Sequence, residues 1–100
     1  MQLGTLRYAT NDIRIFAIAY GDWLAQGYIL STVTVTIPTT NIVSTVDSPA
    51  LQSPDGKTAY IKITCGDVKE SFTLDVVAQD TLGQVVNDTV DVTVVDPGAP

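Results

Sequence analysis

The sequence predicts an all-β domain: an immunoglobulin-like antiparallel β-sandwich of about six or seven strands. Three observations predict it. Threonine, valine and isoleucine supply 35 of the 100 residues, and β-branched side chains suit pleated, half-buried surfaces. Apolar and polar residues alternate with period two through most of the chain. Turn signals recur roughly every ten residues, and nothing between them is long enough for a stable helix. A chain of this length makes one domain, with short tails expected at about 1–12 and 96–100.

The first expected strand is 13–20, IRIFAIAY. It is apolar in both phases, with Phe16, Ile18 and Tyr20 on one face and Ile13, Ile15 and Ala17 on the other, so it reads as a strand covered on both sides. GDWLAQG follows, in which Gly21 and Gly27 bracket room for a single turn and Asp22 stands as its N-cap. Trp23, the chain's one tryptophan, is expected to plug an open end of the sandwich, with a buried ring and a polar tip.

Residues 29–37, ILSTVTVTI, alternate cleanly, with Val33, Val35 and Ile37 inward and Thr32, Thr34 and Thr36 outward. Pro38 stops this strand. A shorter strand is expected at 41–46, and then a loop with two prolines and an Asp55-Gly56 turn signal. Residues 58–65 place Ala59, Ile61, Ile63 and Cys65 in one phase. Residues 71–79 turn Phe72, Leu74, Val76 and Ala78 inward. Residues 84–95 do the same with Val86, Val90, Val92 and Val94.

Composition excludes several function classes. Eleven acidic residues face five basic ones, for a net charge of −6. Nucleic-acid binding needs clustered cations, and Arg7, Arg14, Lys57, Lys62 and Lys69 are scattered, so no nucleic-acid partner is expected. No stretch approaches the length of a membrane-spanning helix, so no membrane partner is expected either. The opening MQLGTLRYAT lacks the basic and apolar regions of a signal peptide, so no secretion signal is expected.

The chain has no histidine and one cysteine. The usual zinc ligand sets and a histidine-activated thiol are therefore ruled out, and Cys65 reads as a small buried hydrophobe. The carboxylate pairs Asp12/Asp22, Asp75/Asp80 and Asp88/Asp91 lie in turns or outward phases, where solvation opposes the raised pKa that acid–base catalysis needs. Calcium is considered near Asp80, Asp88 and Asp91, but no D-x-D-x-D-G loop accompanies them. No cofactor, catalytic residue or metal site is assigned, and the chain is expected not to be an enzyme. Asp88 and Asp91 are read as charges that keep a terminal edge strand from pairing with other chains.

One resemblance goes further than the residues do alone. FAIAYGDWLAQGYILSTVTVTI, residues 16–37, resembles a family of small tailed-bacteriophage virion proteins, fiber–tail adaptor-like, in which an aromatic strand precedes a D-W-L turn, a glycine, an isoleucine and S-x-V-x-V. The segment YIKITCGDVKESFTLDVVAQDTLGQVVNDTVDVTV resembles the last strands of the same proteins. Gly21 between Tyr20 and Asp22 departs from that pattern, as does CGDVKE in place of a glycine-rich turn. The resemblance implies a structural protein of the virion, assembled in the host cytoplasm in multiple copies, in the tail or at a fiber attachment point. The alternatives are a capsid decoration protein and a carbohydrate- or cell-surface-binding module using Tyr8, Tyr28 and Tyr60. Its partners would be other tail, fiber or capsid subunits. The uncharged face of Thr32, Thr34 and Thr36, with Tyr28 beside it, is the expected partner-binding surface.

Overall fold

A computed structural model describes residues 2–24, 27–40, 42–67 and 69–96. Among them are eight strands: β1 (Gln2–Ala9), β2 (Ile13–Ala19), β3 (Leu30–Thr36), β4 (Thr45–Val46), β5 (Leu51–Gln52), β6 (Thr58–Thr64), β7 (Ser71–Asp80) and β8 (Val85–Val95). One sheet has the order β1-β8-β7-β3; the other has β2-β6-β4, with β5 also pairing with β6. Two layers packed face to face are how an all-β chain buries one face of each sheet. The connectivity is that of an immunoglobulin-like sandwich, and the predicted fold class holds.

The alternation in the sequence builds the core directly. Every second residue of β3, β6, β7 and β8 is buried, including Val33, Val35, Ile61, Ile63, Leu74, Val76, Val92 and Val94, all at 2% exposure or less. Cys65 is buried with them. Burial is the chief cause that pushes its thiol above the ordinary value, and Asp12 adds to it. The protonated thiol is a packing group.

Four expectations need correction. Residues 2–9, read as part of a tail, form β1, which runs parallel to β8 in an otherwise antiparallel fold. Gly4 and Leu6 do not alternate as a sequence signal requires, and a register shift between Gln2 and Thr5 explains why: a bulge breaks the period. Of the strand expected over 41–46, residue 41 lies outside the described residues, and among the rest the strand is confined to Thr45–Val46. Asp88 and Asp91 do not guard an edge, because β8 lies between β1 and β7. Finally, the strand at 13–20 is covered on one face only. Ile13 and Ile15 are 60% and 63% exposed, and Ala17 is exposed with them, because they lie on the outer face of the smaller sheet, over which no further layer packs among the described residues. Of the expected C-terminal tail, residues 97–100 lie outside the described residues.

Candidate functional site

The turn after β2 is organised by the Tyr20 carbonyl, which accepts hydrogen bonds from the N–H groups of Trp23 and Leu24, each at 3.0 Å. Asp22 therefore lies inside the turn and not at its cap. The Trp23 ring meets Tyr20 edge-on, with centroids 6.0 Å apart and an interplanar angle of 69°, and packs against the core while remaining half-buried. Burial pushes the Tyr20 phenol far above its ordinary value, and the neighbouring Asp88 carboxylate pushes it the same way.

The acidic residues do not converge. Asp12 and Asp22 stand at opposite ends of β2; Asp12 accepts from the Ala9 N–H and pairs with Arg14 at 3.7 Å. Asp80 closes the β7–β8 hairpin, one oxygen accepting the N–H groups of Leu82 and Gln84, both at 2.9 Å. Asp91 accepts from Gln2 and from the Thr73 hydroxyl, both at 2.8 Å. Asp88 is buried, on the opposite phase of β8 from Asp91. Among the described residues no cluster of three potential metal ligands forms, and Asp80, Asp88 and Asp91 are held apart by this hairpin.

Thr32, Thr34 and Thr36 share the exposed face of β3, next to Gln79, Val77 and Asp75 of β7. Tyr28 lies before that strand and is 37% exposed. The three tyrosines considered for glycan contact are dispersed. Tyr8 is on β1 with the Arg14 guanidinium 5.0 Å from its ring centroid, Tyr60 is on β6, and Tyr28 belongs to a connection.

A different surface stands out. On the outer face of the smaller sheet, Ile13 and Ile15 of β2 stand opposite Thr64 and Lys62 of β6, and Ala17 stands opposite Tyr60, which has Leu51 of β5 on its other side. Leu51 is 75% exposed and Tyr60 39%. A concavity of about 180 Å³ between Ile15, Leu51 and Tyr60 is bordered by Asp47 and Lys62. The signal for this face was present in IRIFAIA. A strand apolar in both phases needs cover on both sides, and among the described residues no helix or third layer supplies it.

A second feature is the open side of the sandwich, where β1 and β2 face each other as the edges of opposite sheets. The groove between them is about 390 Å³ and is walled by Leu3, Leu6, Phe16, Ile18 and Val90. A smaller one of about 230 Å³ continues it toward Tyr20 and Trp23.

No family model matches this chain, and no curated protein does. Solved structures do. One is the 2,6-sialyltransferase of Vibrionaceae Photobacterium sp. JT-ISH-224, in a ternary complex with CMP and lactose, with a TM-score of 0.54 and 12% identity. What the two share is the fold. The match covers 97% of this chain and 18% of the enzyme, so this chain corresponds in length to a small part of that protein.

Proposed function

We propose that this chain is a non-catalytic structural module of a tailed-bacteriophage virion, placed in the tail or at a fiber attachment point, that works by docking its surfaces on neighbouring subunits. One observation carries the docking: the outer face of the smaller sheet, where Ile13, Ile15 and Leu51 are each at least 60% exposed. Singly exposed apolar residues are ordinary, but a contiguous group on a rigid sheet is the usual mark of an interaction surface. The resemblance of residues 16–37 supports the setting. The dispersal of the carboxylates supports a role without chemistry, since acid–base work needs them convergent in a cleft.

Mass spectrometry of purified particles from cells producing this chain tests the reading. The chain is expected in the particles at a fixed stoichiometry, and Ile15→Lys is expected to lower its incorporation. Absence of the chain from particles overturns the reading. Copy number then separates positions: about six or twelve per particle fits the symmetry of a tail, and on the order of hundreds fits capsid decoration.

A further inference from the structure

The edges of the two sheets are treated unequally. β1 is broken by the bulge between Gln2 and Thr5. β4 and β5 have two residues each. The outer edge of β3 is covered by the segment after β4: the Ala50 N–H donates to the Val33 carbonyl at 2.8 Å, the Val35 N–H to the Ser48 hydroxyl at 3.1 Å, and the Gln52 side-chain amide to the Ser31 carbonyl at 3.1 Å. These are the ordinary devices that stop a sheet from recruiting strands. β2 is neither bulged, short nor covered, and its one charge, Arg14, is engaged within the chain, 3.7 Å from the Asp12 carboxylate and over the Tyr8 ring. The strand pairs with β6 over seven consecutive residues without a register shift, and among the described residues its other side meets no strand.

The phase of that free edge can be read. The Tyr20 N–H donates to the Lys57 carbonyl and the Cys65 N–H to the Asp12 carbonyl, both at 2.8 Å. In an antiparallel pair, hydrogen-bonded positions alternate, so the even-numbered residues of β2 bond to β6. The N–H and C=O groups of Ile13, Ile15, Ala17 and Ala19 therefore point away from the sheet. The same four side chains are exposed and uncharged.

From this geometry we infer that β2 is a homotypic docking edge, on which the β2 strand of a second copy of this chain pairs antiparallel about a two-fold axis through Phe16. The inference adds a specific partner and register to the proposed docking role, and rests on the β2 edge and not on the virion setting. With the axis at Phe16, Ile13 falls opposite Ala19 of the second copy and Ile15 opposite Ala17, each large side chain against a small one. All four pairs are positions whose backbone groups are free, so each exchanges two hydrogen bonds, and the two Phe16 rings meet across the axis. A self-complementary strand is what an isologous interface requires.

Two chains of net charge −6 can approach here because none of the four outward residues is charged, and Arg14, the one charge on the strand, falls opposite Ile18 of the second copy with its guanidinium beside Asp12 of its own chain. Pairing of seven residues by itself falls short of the roughly 800 Å² per partner of a standard interface. The grooves flanking the two β2 strands make up area: Leu3, Leu6, Phe16 and Ile18 of each copy line them and come together beside the axis. The product is a continuous six-stranded sheet built from β4, β6 and β2 of both copies.

Sedimentation equilibrium of the purified full chain, with backbone amide exchange followed by NMR, tests this. The expected mass is twice 10.6 kDa, and the Ile13, Ile15, Ala17 and Ala19 amides are expected to gain protection as concentration rises. Ile15→Lys and Ala17→Pro should each give a folded monomer; the proline removes only an outward N–H, which an edge strand tolerates. Thr34→Lys, on the other sheet, should leave the mass unchanged. A wild-type chain that stays monomeric, or a dimer whose four amides exchange freely, overturns the pairing. A monomer found in particles would leave the docking role standing without this edge, and a dimer absent from particles would do the reverse.

Discussion

At the residue scale, Glu70 fastens the connection that precedes β4. Its carboxylate accepts the N–H of Val43 at 2.6 Å, the N–H of Ser44 at 3.1 Å and the Ser44 hydroxyl at 2.6 Å. Ser44 in turn accepts the Gly66 N–H at 2.8 Å. Gly66 must be glycine for this packing, since a Cβ there would stand 2.7 Å from the Ser44 nitrogen and 2.8 Å from Val43 Cβ. Burial opposes the charge on Glu70, but the hydrogen bonds from Ser44 and Val43, with one from the Asp67 backbone, outweigh it and hold the carboxyl below its ordinary value. A depressed folded value contributes stability that is fully present above the unfolded carboxyl value, about pH 4.3, and is lost as pH falls through the folded one. Glu70→Gln is therefore expected to cost about 1 kcal/mol at pH 7, after allowing for solvent screening, and the gap between variant and parent should close on acidification below about pH 4. Urea unfolding at pH 7 and pH 3 measures both. Trp23→Ala removes a ring that packs on the core but keeps part of its surface in water. The expected loss is about 2–3 kcal/mol, below the figure for a fully buried aromatic, read as a drop in denaturant midpoint without a change in slope.

At the element scale, β7 and β8 are interior strands of the larger sheet, bonded on both sides, whereas β4 and β5 pair over two residues each. Local opening free energy follows that difference. The amides of Val90 and Val92 are expected to exchange at least about 100-fold more slowly than those of residues 45–52, as measured by native-state exchange. The strands legible in the sequence were those with one dry face. In Val33/Val35, Ile61/Ile63 and Phe72/Leu74/Val76 the alternation and the burial coincide. β1 was not legible, because its bulge at Gln2–Thr5 erases the period and because its partner, β8, lies at the far end of the chain. β4 shrank to two residues because the chain before it is held by Glu70 through side-chain bonds instead of by a ladder.

At the scale of the whole molecule, the two sheets differ in how their outer faces meet solvent. The larger sheet shows Thr32, Thr34 and Thr36, while the smaller shows Ile13, Ile15, Leu51 and Tyr60. The threonine face singled out from alternation is exposed as expected, but its hydroxyls make it the easier of the two to leave in water. The smaller sheet also carries the uncovered edge. Both features fall on β2, so a partner that extends the sheet and a partner that covers its outer face would occupy different sides of the same strand. The Trp23 turn closes the groove beside that strand at one end.

The sequence by itself determined the layer architecture, the inward residues of the four long strands after Gly27, and the burial of Cys65, because period-two burial and residue chemistry are local properties. Only the tertiary structure decided which strands are edges. Whether a residue such as Ile15 is covered, or Asp88 buried in a central strand, depends on neighbours brought in from elsewhere in the chain, and no local pattern encodes which strand will lie alongside.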